Sequence, residues 1–120
     1  MDPTAISSIM QDRKLASLGD AYVNLVYSLA LTQINEEPQG VKVSDRILAS
    51  AFKAAGLRGY LKTRRSRKDF ANASEALLIE TYRKGLLTIN ESVKIVTQRD
   101  DPTVGITDLL KIAVERLVSS

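Results

Sequence analysis

Apolar residues recur at helical spacing along most of the chain. Residues near Asp12 to Gln33 are apolar around most of a helical circumference, which predicts a long helix at the centre of the core. Shorter helical patterns follow, each preceded by a residue that commonly caps or opens a helix. These residues are Ser44, Asp69, Asn90 and Thr107. No alternating strand pattern occurs, so the sequence predicts an all-α domain of five or six helices in a compact array.

The length predicts one domain spanning residues 1–120, which is enough for a single core. Residues 1–10 are interpreted as a tail with a short helical turn, in which Pro3 occupies a permitted first-turn position. The longest apolar run is too short to span a bilayer, and no basic segment followed by an apolar one opens the chain. We therefore expect a cytoplasmic protein without a membrane segment.

One stripe of the first long helix is polar. Asp20, Asn24 and Ser28 follow one another at a spacing of four residues and therefore share a helix face. Gly19 precedes them, although glycine costs a helix about 1 kcal/mol relative to alanine. Two interpretations stay open: a solvated stripe on an otherwise buried helix, or a functional carboxylate that is paired, bound to metal or open to a cleft.

Composition limits the chemistry of any site. The chain contains neither cysteine nor histidine, which excludes disulfides, thiolate or imidazole metal sites and histidine acid–base catalysis. Any metal must be held by oxygen, which favours Mg²⁺, Mn²⁺ or Ca²⁺. The net charge is only +3, but the segment from Arg58 to Lys68 holds six basic residues and no acid. The six are Arg58, Lys62, Arg64, Arg65, Arg67 and Lys68.

A second apolar helix, Phe70 to Tyr82, also carries an acid in its interior, Glu75. Leu18-Gly19-Asp20-Ala21 in the first helix, followed by Glu75-Ala76-Leu77 and by Tyr82 seven residues after that glutamate, resembles the ribonuclease III catalytic domain. The resemblance extends from about Arg13 to Tyr82 and keeps the order of the two motifs.

Departures from the family pattern fall at Ala16, at Asn72 and at the pair Ile79-Glu80. Ala16 occupies the position of the first-motif glutamate, and the compact mini-ribonuclease III branch resembles this chain in having an alanine there. The aspartate of the second motif falls on Asn72, whose neutral amide oxygen is a poorer ligand for a hard cation. Ile79-Glu80 replaces a small Gly-Ala pair. Two of the family's acids, Asp20 and Glu75, therefore remain.

The resemblance implies a metal-dependent endoribonuclease acting on double-stranded or structured RNA. Asp20 and Glu75 would be its catalytic metal ligands for Mg²⁺ or Mn²⁺, facing each other from neighbouring helices, with Asn72 as a neutral third ligand. It also implies a homodimer with a valley for duplex RNA, and no separate double-stranded-RNA-binding domain is expected in this chain. The basic segment would contact RNA phosphates, unless it is simply solvated.

Other interpretations stay open. Ala16 and Asn72 favour a catalytically weakened relative that binds RNA or a ribonucleoprotein without cutting. Asp20 and Glu75 could instead form structural hydrogen bonds or ion pairs in a helical core. A protein-interaction module would leave the basic segment unexplained. Three other acids are assigned to helix surfaces or first turns and not to the site. They are Asp45, Asp69 and Glu80.

Overall fold

The computed structural model describes residues 1–120 and contains six α-helices, one short 3-10 helix and no strand. The helices are α1 (Pro3–Met10), α2 (Arg13–Asn35), α3 (Asp45–Ala54), the 3-10 helix Arg58–Tyr60, α4 (Arg67–Arg83), α5 (Ile89–Thr97) and α6 (Pro102–Ser119). The predicted all-α class is confirmed. No helix combines the length and apolar character that crossing a membrane requires.

The central helix is α4 and not α2. Ten of the 17 residues of α4 are buried, and the helix packs against α1, α2, α3 and α6. The sequence placed α2 at the centre because it is apolar almost all round. In the structure, α2 buries one face against α4 and leaves Leu18, Leu25 and Leu29 exposed on another. The prediction of a central α2 was therefore wrong.

Residues 1–10, interpreted from the sequence as a tail, form a packed helix. Asp2 caps α1 by accepting a hydrogen bond from the Ala5 N–H at 2.8 Å. Ile6 and Met10, one turn apart, are buried in the core. Ile9 also packs partly against the core, so three apolar residues on one face dock this short capped helix.

Helix boundaries were predicted with mixed success. Ser44 caps α3 as expected, accepting a hydrogen bond from the Ile47 N–H at 3.2 Å. The predicted caps of the last two helices were wrong, since Thr88 caps α5 in place of Asn90 and Asp101 caps α6 in place of Thr107. Each true cap precedes the predicted one, by two residues in α5 and by six in α6, and belongs to the same set of residues that commonly cap helices.

Candidate active site

The site is built on a close crossing of α2 and α4. A Cβ added at Gly19 would overlap the backbone carbonyl of Glu75, so the two helices approach more closely than any larger residue permits. The loss of helix propensity at Gly19, unexplained by the sequence, therefore has a structural cause. Because Asp20 follows Gly19 directly, this crossing brings the acid of one helix beside the acid of the other.

Asp20 and Glu75 open into one cleft with a volume of about 290 Å³. Asn72, one turn before Glu75 on α4, lines the same cleft, so the three predicted site residues lie together. Ala16 also lines it, at the position where the family motif has a glutamate. The remaining lining residues are Arg13, Ser17, Lys42, Asp45 and Lys68.

The two carboxyl groups occupy different environments. Glu75 is only 6% exposed, whereas the Asp20 side chain is 43% exposed. Burial raises the pKa of Glu75 to about 8, helped by a hydrogen-bonding contact with Asp20 and by the negative charges of Asp20 and Asp45, while Lys68 opposes the rise. Glu75 makes no ion pair. Without a cation, the pair therefore holds a proton at neutral pH.

The polar stripe of α2 is not a solvated face. Val43 N–H donates to Asn24 Oδ1 at 2.8 Å, and Val41 N–H donates to Ser28 Oγ at 2.9 Å. The next residue of the stripe, Thr32, accepts from the Gln39 N–H at 3.1 Å. Every fourth residue of α2 therefore bonds every second residue of the segment 39–43. These spacings agree, because four helical residues advance about 6 Å and two extended residues about 6.6 Å. The stripe thus clamps residues 39–43 along α2.

Cations stand at the rim of the cleft. Lys42, delivered by the clamped segment, places Nζ 4.0 Å from Asp20 Oδ2. Lys68, in the first turn of α4, places Nζ 3.5 Å from Asp45 Oδ2. Asp45 was assigned from its sequence context to a first turn outside the site, and the sequence motifs include neither Lys42 nor Arg13. No local motif marks Lys42 or Asp45, because they reach the cleft only through the tertiary fold. Arg13 lies two turns before Asp20 on α2 and therefore shares its helix face.

The donors around Glu75 fit a hard divalent cation. They are carboxylate and amide oxygens, and the buried Glu75 carboxyl lacks a positive partner of its own. No three acids are arranged as a group that could hold a metal. Asp20 and Glu75 would therefore be the two charged ligands. Two carboxylates neutralise one divalent ion, and Asn72 adds only a neutral oxygen.

Three residues of the basic segment contact partners within the protein, and three do not. The Arg58 guanidinium lies 5.7 Å from the centre of the Phe70 ring, and Arg65 donates to Gln11 Oε1 at 2.9 Å. Lys68 pairs with Asp45, as described above. The remaining three cations are exposed and form no ion pair: Lys62, Arg64 and Arg67. These three are the free cations of the segment.

The fold and the cleft define an all-helical domain in which an aspartate and a glutamate from crossing helices share one open site. A family model described as Ribonuclease III matches residues 13–117, from the first residue of α2 to near the end of α6. The chain therefore belongs to the ribonuclease III family, as the motifs predicted. A comparison with curated proteins finds no match.

Proposed function

We propose that this protein is a metal-dependent endoribonuclease that hydrolyses phosphodiester bonds in double-stranded or structured RNA. One observation carries the proposal: Asp20 and Glu75, one from each family motif, meet in an open cleft. Family membership supports the RNA substrate class. The cationic rim of the cleft suits an approaching phosphate group.

Asp20 and Glu75 would hold Mg²⁺ or Mn²⁺, with Asn72 as a neutral neighbour. Such an ion supplies Lewis acidity and lowers the pKa of a bound water. Glu75 would release its proton to solvent when a cation binds, because a nearby positive charge favours the carboxylate. Lys42 and Lys68 at the rim would attract the RNA backbone. The close packing of α2 against α4 holds the two acids beside each other.

A second candidate function is RNA binding without cleavage. Ala16 and Asn72 line the cleft at the two positions where the family motifs have acids, so the site has half the negative charge of the full pattern. The absence of a three-acid group points the same way. A site of this kind would still present cations to RNA while holding a metal weakly.

Incubation of the purified protein with a long labelled duplex RNA tests the proposal. Separate reactions contain Mg²⁺, Mn²⁺ or EDTA, and cleavage is followed on a denaturing gel. We expect cleavage in both metals and none in EDTA. Cleavage should need a high concentration of Mg²⁺ or be faster in Mn²⁺. If the protein shifts duplex RNA in a gel but never cuts duplex or hairpin RNA in either metal, the non-cutting function replaces the proposed one.

The free cations of the basic segment should contribute to RNA affinity through phosphates. Arg64→Ala and Arg67→Ala are each expected to weaken RNA binding regardless of sequence and to lower the salt slope by about 0.7–0.9. Filter binding between low and high salt measures both effects. Lys111→Ala, which removes an exposed cation from α6, is the matched control. Unchanged slopes for Arg64 and Arg67 would mean that the segment is only solvated.

We further propose that two copies of the chain pair through an apolar stripe on α2. Leu18, Leu25 and Leu29 are exposed and lie within about 40° of one another around the helix axis. Tyr82 of α4 is also exposed, and its ring lies 5.2 Å from that of Tyr22, which follows Leu18 by one turn on α2. Tyr82 therefore extends the stripe. Aligned apolar side chains of this size favour burial against a second copy. A homodimer would supply the valley for duplex RNA that the family resemblance implies.

Leu25→Lys is expected to give a monomer because it places a charge in the middle of this stripe. Light scattering at micromolar protein concentration measures the change. Val118→Lys, at a similarly exposed apolar position on α6, should leave the dimer intact. A wild-type protein that is monomeric at this concentration would contradict the dimer and the valley with it.

A further inference from the structure

Asn24 connects the candidate active site to the clamped segment. It lies one turn after Asp20 on α2, and its Nδ2 donates to Asp20 Oδ1 at 3.3 Å. Its Oδ1 accepts the Val43 N–H at 2.8 Å. One amide side chain therefore contacts the site aspartate on one side and the backbone of residues 39–43 on the other.

The orientation of the Asn24 amide is set by chemistry. A backbone N–H can only donate, so Val43 selects the amide oxygen and leaves the NH₂ group to face Asp20. Val43 is only 3% exposed, so its N–H would lose a partner if the amide turned over. The NH₂ group is held toward the carboxylate, which can only accept when ionised.

Asn24 contacts only one of the two carboxylate oxygens of Asp20. Its NH₂ group occupies Oδ1, while Oδ2 faces the Lys42 ammonium at 4.0 Å. The Lys42 side chain is 77% exposed and joins the carboxylate only at the limit of an ion pair, so it restrains Asp20 weakly. Compared with Lys42, the Asn24 amide is the better fixed partner of Asp20, and it leaves Oδ2 for a cation.

We infer that Asn24 is a positioning residue: it fixes the Asp20 carboxylate for cation binding and couples it to the clamped segment 39–43. The catalytic consequence rests on the proposed function. Residues that orient metal ligands typically change metal affinity or activity by about 10–100-fold when they are removed.

The same helix offers a matched control. Ser28 clamps the same segment through two hydrogen bonds, accepting from Val41 N–H at 2.9 Å and donating to Val41 O at 3.0 Å. It has no contact with Asp20. If Asn24 only held the segment, Asn24→Leu and Ser28→Ala would therefore have similar effects.

The experiment compares these two variants with wild type. Mn²⁺ affinity is measured by calorimetry on RNA-free protein, kcat and KM on duplex RNA, and folding by thermal melting. Asn24→Leu is expected to lower Mn²⁺ affinity and kcat by about 10–100-fold, with KM for RNA within about twofold of wild type. Ser28→Ala should keep Mn²⁺ affinity, kcat and KM within about threefold of wild type.

Asn24→Asp covers the case in which the leucine variant does not fold. It keeps an acceptor for Val43 and therefore the clamp, but it cannot donate to Asp20 when ionised. Its kcat is expected to fall as in Asn24→Leu. Its Mn²⁺ affinity is not compared, because the new carboxylate is itself a ligand.

Three results would overturn the inference. Equal losses in Asn24→Leu and Ser28→Ala would make Asn24 a clamp only. Full kcat and Mn²⁺ affinity in a folded Asn24→Leu protein, beside an active wild type, would reject the positioning role and leave the proposed function standing. A wild type that neither cuts RNA nor binds Mn²⁺ would reject the proposed function and the positioning role together.

Discussion

Asp20→Asn is expected to abolish RNA cleavage while the protein stays folded. Asp20 and Glu75 are the two carboxylates that meet at the crossing of α2 and α4, and the third acid of the cleft, Asp45, pairs with Lys68. Loss of Asp20 therefore leaves Glu75 as the one unpaired carboxylate that could hold a divalent ion. The rate should fall by more than about 100-fold, the upper end of the loss seen when only a partner of a metal ligand is removed. Single-turnover cleavage in Mg²⁺ and in Mn²⁺ measures it.

The same substitution should stabilise the metal-free protein at alkaline pH. Glu75 has a pKa of about 8 in the folded protein against an ordinary value of 4.5. Between these values the folded state retains a proton that the unfolded chain has released, so stability falls as pH rises, by up to about 1.4 kcal/mol per pH unit. An amide at position 20 carries no charge and can donate to Glu75, so the pKa of Glu75 drops and the loss becomes smaller.

Urea unfolding in EDTA at pH 5 and pH 8 measures this difference. At pH 8 the free energy of unfolding of Asp20→Asn should exceed that of wild type by about 1–2 kcal/mol, and at pH 5 the difference should shrink. Asp100→Asn, at an exposed position in the turn before α6, is the matched control and should change neither stability nor cleavage. If Asp20→Asn cuts as well as wild type, the activity comes from a contaminant and the site is wrongly assigned.

Helix signals in the sequence specify where helices occur better than how they pack. Ser44 is a cap followed at once by an apolar pattern, and the structure begins α3 there. Gly56 ends that helix with φ of 76°, the backbone conformation that favours glycine. Thr107 is also a good cap type, yet Asp101 begins α6, because neighbouring polar residues compete and only tertiary contacts choose between them.

The pairing of the candidate site residues could be predicted from the resemblance, but its physical basis could not. The motifs single out Asp20 and Glu75, and both line the cleft. Lys42 lies 22 residues from Asp20 in the chain and reaches it only because the polar stripe of α2 clamps residues 39–43. The stripe itself was visible in the sequence, whereas its partner is an extended backbone, which leaves no pattern of side chains to find.

Gly19→Ala is expected to destabilise the protein by about 3 kcal/mol or more, in spite of the higher helix propensity of alanine. The new methyl group would overlap the Glu75 carbonyl, and neither backbone can move without separating α2 from α4 along their shared face. Urea unfolding measures the loss. Gly40→Ala is the neutral control, since its added Cβ meets nothing within 4 Å and the position has no positive φ.

Gly105→Ala separates the effect on stability from the effect on the site. A Cβ at Gly105 would overlap the backbone of Val96, so this variant strains the crossing of α6 and α5, whose residues do not line the cleft. Both variants should unfold at lower urea concentrations than wild type. At temperatures where both are folded, only Gly19→Ala should lose cleavage and Mn²⁺ affinity, because only there do Asp20 and Glu75 move apart. Equal activity in the two variants would mean that the close crossing serves packing alone.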